Sequence, residues 1–460
     1  PGGDTYSARR DVNEPDILAT LERCFRILAS STRRNSVPNT PSANAGTILG
    51  RCLKRPVFDK LKHRVTRMDH NLFDVIWPSV KKFSISNPKN VNLASASSRR
   101  SSIADIDADF DSIIVAPDYE SYIVFSELFD PFIRNLHCVT TTGELPNQPV
   151  SCFFSEANSK DENGNIEEVV SSLLAYDLDH SGKYILAATI EACRNLENFS
   201  LPLTLTINQL EETEKRITSV LMSPEVSLIM AEGSSEDEAG IYYTLNEILE
   251  RPSDIRVRLE GAGLLGPILE TEISDEKRLH GKHWPYGRGV YVASAGDIAV
   301  WVNVQDHIRF ICCTPESHPG HIGKTYVRLA KILSIFDRKM RFKRDKKLGF
   351  LSARPPSIGN TMRFCCSTKL SHLSKQPDNL KHVCITRGLR AVETMRSDIF
   401  KISNLQCLSI TELQTLQDYI RAVVSVMGLE KELVLTSSLK IATVIANMFR
   451  KRKSARNFNS

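Results

Sequence analysis

The sequence predicts an α+β protein, with a small all-α N-terminal domain followed by a larger domain built on an antiparallel sheet flanked by helices. Three observations carry this. Apolar residues recur at helical spacing over Leu18–Leu28 and Phe58–Phe73, the pattern of helices that bury one face. From Gly289 the pattern changes to short β-rich runs, Val290-Tyr291-Val292, Ile298-Ala299-Val300-Trp301-Val302 and Ile308-Arg309-Phe310-Ile311, separated by Gly, Asp and Asn. Such close spacing with tight turns reads as antiparallel strands. Amphipathic helical spacing then returns over His321–Ile335 and Thr411–Met427.

Loops separate these elements. Residues 1–50 read as a flexible N-terminal region around the first helix, since 29–50 is rich in Ser, Asn, Pro and Thr. Residues 51–150 hold the rest of the helical domain, interrupted by a disordered insert at 84–109 that carries Ser95-Ala96-Ser97-Ser98-Arg99-Arg100-Ser101-Ser102. A polar, acidic stretch at 158–168 precedes the larger domain, 165–433. None of these loops has the periodicity that would bury a face. Two of them contain R-R-x-S, Arg33-Arg34-Asn35-Ser36 and Arg99-Arg100-Ser101-Ser102, which makes Ser36 and Ser102 candidate phosphosites with arginines at hand for the phosphate.

The chain has 460 residues, 41% hydrophobic and 25% charged, ordinary for a soluble globular protein of two or three domains. It is long enough to bury a core without a disulfide or metal staple. Its 11 cysteines include the adjacent pairs Cys312-Cys313 and Cys365-Cys366 and no C-x-x-C, which fits buried strand positions and a reducing compartment. No apolar run reaches the roughly 18 residues that span a bilayer, and Pro1-Gly2-Gly3-Asp4 offers no apolar signal core. A cytoplasmic location is expected. The H-x-x-H pairs His280/His283 and His318/His321 lack a third ligand, so no metal site is expected. The net charge is +5, but 434–460 carries six basic residues and no acid. The body is therefore near neutral and no specific nucleic-acid surface is indicated. The tail, with Leu439–Phe449 leading into Arg450-Lys451-Arg452-Lys453, reads as a basic amphipathic segment suited to a membrane surface or a protein partner.

One family accounts for many collinear motifs. Trp284-Pro285-Tyr286-Gly287-Arg288-Gly289, then Trp301-Val302-Asn303 with Asp306-His307-Ile308-Arg309, resembles the W-P-x-x-R-G and W-V-N-E-E-D-H-L-R of phosphagen (ATP:guanidino) kinases. Gly349-Phe350-Leu351 and Gly359-Asn360-Thr361-Met362-Arg363 resemble its G-F-L-T-x-C-P-x-N-L-G-T-x-x-R. Thr386-Arg387-Gly388 is similar to its T-R-G, and Phe400-Lys401-Ile402-Ser403-Asn404 to its Y-D-I-S-N. Ala116-Pro117-Asp118 and Phe129-Asp130-Pro131 resemble its small domain, in the arginine kinase form. The resemblance implies the catalytic fold shared with glutamine synthetase, and transfer of the terminal phosphoryl of MgATP to a guanidino nitrogen. The family holds phosphates with an arginine cage, since guanidinium offers a fixed fork of donors.

By the same resemblance Arg309, Arg363 and Arg387 are nucleotide-binding, while two further cage arginines become Thr189 and Glu191. The two glutamates of W-V-N-E-E-D become Val304 and Gln305, ahead of Asp306. A glutamine amide cannot act as a general base. The family's C-P-x-N cysteine corresponds to Arg354, a like charge for a cationic acceptor. The glutamate after T-R-G falls on Val392, or on Glu393 if the loop slips by one. The expectation is a phosphagen kinase homologue with impaired or absent transfer and weakened binding of MgATP or MgADP. The alternatives are an active phosphotransferase with an unusual acceptor, or a scaffold that docks through its basic tail.

Overall fold

The computed structural model describes residues 15–34, 48–85, 114–139, 143–154, 166–232, 239–250, 253–266, 277 and 280–456. Ser36, Ser102 and most of the 84–109 insert lie outside these residues.

The first domain is helical: α1 (Pro15–Arg34), α2 (Ile48–Cys52), α3 (Arg55–Leu61), α4 (Leu72–Ile85), α5 (Ser121–Val124) and α6 (Ser126–Leu136). α1 buries Leu21, Cys24 and Leu28 as one stripe, and Phe58, Val75, Ile76, Phe125, Phe129 and Phe132 fill the space beneath it. The expected helical run 58–73 is broken. α3 stops at Leu61 and the chain turns through Arg64–Asn71, with Asp69 at φ 65°. The polar residues there bond sideways instead of continuing the helix. Thr66 Oγ1 donates to Asp118 Oδ2 at 2.5 Å, His70 Nδ1 meets the same oxygen at 2.7 Å, and Arg64 forks onto Glu127. Such side-chain bonds compete with the helical ladder.

The second domain opens with α7 (Ile166–Leu174) and β1 (Ile185–Arg194), then α8 (Ile207–Leu221), α9 (Pro224–Met230), β2 (Gly240–Thr244), α10 (Leu245–Leu249) and α11 (Asp254–Gly261). The expected strands follow as β3 (Gly289–Ala293), β4 (Ile298–Val304) and β5 (Asp306–Cys313), and the expected helix as α12 (Ile322–Lys339). A short β6–β7 pair (Arg344–Asp345, Gly349–Phe350), β8 (Arg363–Lys369), α13 (Pro377–Ile385), β9 (Leu389–Glu393), β10 (Ile399–Asn404) and α14 (Glu412–Arg456) complete it. Eight strands form one antiparallel sheet in the order β2-β3-β4-β5-β1-β8-β10-β9. One face is buried under α12 and α14 through Phe310, Phe336, Phe364, Tyr419 and their neighbours. On the other face α10 and α11 cover only the β2–β5 end, around Trp301, whose Nε1 donates to Leu264 O at 2.9 Å.

α14 passes the expected tail boundary at 434 without a break and runs 45 residues, roughly 65–70 Å. Neither Pro nor Gly interrupts residues 429–456. The side chains beyond 436 lie outside the described residues, and no helix among the described residues is long and apolar enough to cross a membrane.

Candidate active site

Directly opposed residues of an antiparallel sheet share a face. The register pairs Glu191 with Arg363 on β8 and with Ile311 on β5, and Cys193 with Arg309. Thr189, Glu191, Arg309 and Arg363 therefore stand together on the face that α10 and α11 leave partly open. Arg309 is only 2% exposed. Its Nε lies 3.9 Å from Glu191 Oε2, and its Nη2 has no hydrogen-bond partner among the described residues. Burial opposes its charge, but Cys193, Glu191 and Asp306 more than offset this and hold its pKa above the ordinary value. The Cys193 thiol alongside is pushed up to about 12 by burial. Arg363 donates to Pro356 O at 3.1 Å. Beside Thr189 a cleft of about 630 Å³ extends past Cys365, Ser367 and Lys401 to Gly261–Gly263 and Gly296.

A second cleft, about 620 Å³, lies between the two domains. Phe73, Asp74 and Trp77 of α4 and the Val115–Pro117 loop line one side; Leu201, Leu203, Lys277, Lys282, Gln305 and Arg354 line the other. Gln305 is the tip of the β4–β5 turn, at φ 65°, and its Oε1 is buried without a hydrogen-bond partner among the described residues. Val304 is fully buried in the Trp301 cluster and presents nothing to the cleft. Arg354 is 5% exposed and its Nη2 donates to Ser357 Oγ at 3.3 Å.

Asp306 faces inward. It accepts from Asn195 Nδ2 at 2.6 Å, Ser352 Oγ at 3.0 Å and Ala353 N at 2.9 Å. The same segment reaches the small domain, where Ala116 N donates to Ala353 O and Tyr122 Oη to Ser352 O. Asp306 thus positions the wall that carries Arg354. Other motif residues are wired in the same way. Arg288 donates to the carbonyls of Asn303, Tyr286 and His280. Asn360 Nδ2 donates to Ile410 O, Thr411 O and Thr415 Oγ1, and Thr361 Oγ1 accepts from Cys193 N and Arg194 Nη1.

Two expected site residues do not join these groups. Arg387 ends α13, where its Nε donates to Ser425 Oγ at 3.0 Å and its Nη1 to Val383 O at 3.1 Å. Gly388 follows at φ 70°, so this T-R-G is a left-handed helix stop. Glu393 pairs with Phe400, on the helix-covered face, and bonds Lys381 Nζ at 2.7 Å. Two cations not singled out from the sequence do lie on the open face. Lys401 pairs with Ser367, and Arg390 with Ser403, which itself opposes Cys365. The period-2 alternation of β9 and β10 was the available signal for them. No group of three His, Cys, Asp or Glu side chains is placed to hold a metal among the described residues.

Comparison with known proteins bears on this arrangement. The family described as ATP:guanido phosphotransferase matches with its N-terminal domain over residues 43–134 and its C-terminal catalytic domain over residues 222–433. The chain is 26% identical over 425 residues to the arginine kinase Met e 2 of Metapenaeus ensis, which covers 91% of this chain and 99% of that one. It is 27% identical over 436 residues to an arginine kinase of Anthopleura japonica, covering 90% of this chain and 51% of that one. Among solved structures it resembles the duplicated taurocyamine kinase of Schistosoma mansoni with bound transition-state-analogue components. The TM-score is 0.64 at 22% identity, over 90% of this chain and 48% of that one. Lombricine kinase gives a TM-score of 0.59 at 23% identity, over 85% of this chain and 93% of that one. The chain spans about half the length of the duplicated relatives, and at these identities the structural likeness shows the fold. With both domains of the family matched in order and the two-domain fold shared, this chain belongs to the ATP:guanido phosphotransferase (phosphagen kinase) family, whose members transfer phosphoryl groups between MgATP and guanidino acceptors.

Proposed function

We propose that this chain is a phosphagen kinase homologue that binds nucleotide weakly on the open sheet face and transfers phosphoryl groups to guanidino acceptors at little or no rate. The observation that carries this reading is the Glu191 carboxylate 3.9 Å from Arg309, opposite Arg363 on the next strand. A fixed carboxylate between two cations meets the demand that a phosphate would otherwise meet, and it repels an incoming polyphosphate. Phosphoryl transfer rests on positioning and charge neutralisation, so a neutralised cage loses both. The acceptor side supports the same reading. Gln305 cannot take a proton, and Arg354, Lys277 and Lys282 line the large-domain wall of the cleft, where a guanidinium would need a carboxylate. Residues that match the family motifs, such as Arg288 and Asn404, brace the fold through main-chain groups, while the departures Glu191, Gln305 and Arg354 fall on the open face and the cleft. Mg²⁺ would be held mainly by the phosphates of a bound nucleotide.

Calorimetry of MgADP and MgATP binding, paired with a turnover assay on arginine, tests this. Weak binding that Arg363→Ala removes, with negligible turnover, is the expected result. Turnover matching that of an ordinary arginine kinase would falsify the reading.

A second reading, an active phosphotransferase with a less cationic acceptor, is favoured by the interdomain cleft, which retains about 620 Å³ and a basic wall. A screen of amine, hydroxyl and carboxylate acceptors for MgATP-dependent ADP release decides between the two.

A further inference from the structure

The cations that β1 lacks have counterparts farther along the same face. We propose that the polyphosphate site of this chain is built on Arg363, Lys401 and Arg390, one, two and three strands nearer the β9 edge than Thr189 and Glu191, with the nucleoside end in the 630 Å³ cleft beside Lys401. This rests on the open sheet face being where nucleotide binds, as argued above, and names the residues that hold it.

The register sets out the geometry. Reading outward from β5, the face presents Arg309, then Glu191 on β1, then Arg363 on β8. Beyond Arg363 the intervening residues are Cys365 on β8 and Ser403 on β10, followed by Arg390 on β9 and, diagonally, Lys401. Arg309 and Arg363 stand two strands apart and two residues out of register, and so do Arg363 and Arg390, about 12 Å in each case. What lies between them differs. The first pair holds a carboxylate, the second a thiol and a hydroxyl. Only the second gap has room for an anion without repulsion from its own floor.

Ionic surroundings agree. Lys401 is half-buried beside the cleft and makes no ion pair among the described residues. Burial pushes the Cys365 thiol up to about 12, so the floor stays uncharged. Glu393, the acid of β9, turns to the opposite face and pairs with Lys381. Asp297 at the cleft rim is engaged by Arg328, which leaves Glu260 and Glu316 as the rim acids. Those acids adjoin the position given to the uncharged nucleoside, away from the phosphates.

Calorimetry on the full chain, with MgADP and inorganic tripolyphosphate as separate probes, tests the assignment. Lys401→Gln and Arg390→Gln are each expected to weaken MgADP binding about tenfold, as loss of one charge-assisted contact does. Arg387→Gln, at the α13 stop, should leave it unchanged. Because Arg390→Gln also alters a strand, its melting temperature is recorded, and Lys401→Gln stands as the surface-compatible variant. MgADP bound as tightly by both variants as by the parent, but lost in Arg309→Ala, overturns the relocated site and leaves the family reading intact. No MgADP binding by the parent overturns both. Tripolyphosphate bound as tightly as MgADP, and weakened equally by Lys401→Gln, supports the phosphate site and overturns the nucleoside cleft.

Discussion

Glu191 Oε2 lies 3.9 Å from Arg309 Nε, and the next strand brings Arg363 opposite the same residue. A single carboxylate thus lies against Arg309 and stands on the strand that neighbours Arg363. Replacing it with an uncharged isostere separates its two roles. Glu191→Gln should tighten MgADP binding about tenfold, about 1.4 kcal/mol, because the repelling charge is gone. The Glu191 side chain is 23% exposed, so solvent screens part of the Coulomb energy and a larger gain is not expected. The same variant should lower unfolding stability by about 1 kcal/mol, since buried Arg309 keeps fewer counter-charges. Calorimetry and urea titration read the two effects. Weaker MgADP binding by Glu191→Gln would show that the carboxylate helps the site.

The acceptor cleft gives a second prediction. Gln305 has no proton-accepting role at neutral pH, and Arg354 adds a like charge for a guanidinium. Gln305→Glu combined with Arg354→Cys returns a carboxylate and removes that charge. Arginine-dependent ADP release should rise on the order of a hundredfold over the parent, the scale of one general base. The single Arg354→Cys variant should rise far less. Equal rates in parent and double variant would place the defect on the nucleotide side alone.

Period and motif made much of this visible in advance. β3, β4 and β5 were legible because their apolar runs are separated by turn residues, and α12 because its spacing is helical. The break between α3 and α4 was not, since it depends on Asp118, some fifty residues away, capturing Thr66 and His70. T-R-G misled for a related reason. A tripeptide does not distinguish a cage arginine from a helix stop, and only the Arg387 bonds to Val383 and Ser425 do so. Arg390 and Lys401 needed the sheet register, because β9 and β10 occupy the edge of a sheet whose strand order does not follow the sequence.

Asp306 offers a test of positioning against chemistry. It is fully buried and accepts from Asn195, Ser352 and Ala353. Asp306→Ala strands those donors, each costing about 1–3 kcal/mol when left unpaired, so a loss of about 3 kcal/mol or more is expected. Asp306→Asn keeps one acceptor oxygen and should lose less. If the residue acts only through the wall it holds, Asp306→Asn will leave MgADP affinity within about twofold while urea unfolding shifts. A large affinity change at constant stability would assign Asp306 a direct role.

His137 joins the domains through both ring nitrogens. Nε2 donates to Pro355 O at 3.0 Å and Nδ1 accepts from Cys407 N at 3.2 Å, so the bound tautomer is neutral. Burial lowers its pKa to about 4, and that of His307 to about 3. An unfolded histidine titrates near 6.5, so between roughly pH 6.5 and 4 the unfolded chain binds protons that the folded chain refuses. Stability from this source is fully present above about pH 6.5 and is lost as the pH falls through the folded values. For His137 the span amounts to about 3 kcal/mol. His137→Gln can keep both bonds, with an amide nitrogen donating and an oxygen accepting, yet it does not titrate. Urea unfolding at about pH 7 and about pH 4.5 should show a smaller acid loss in His137→Gln than in the parent, by roughly 2 kcal/mol. Identical losses would mean that the acid sensitivity comes from groups other than this interdomain histidine.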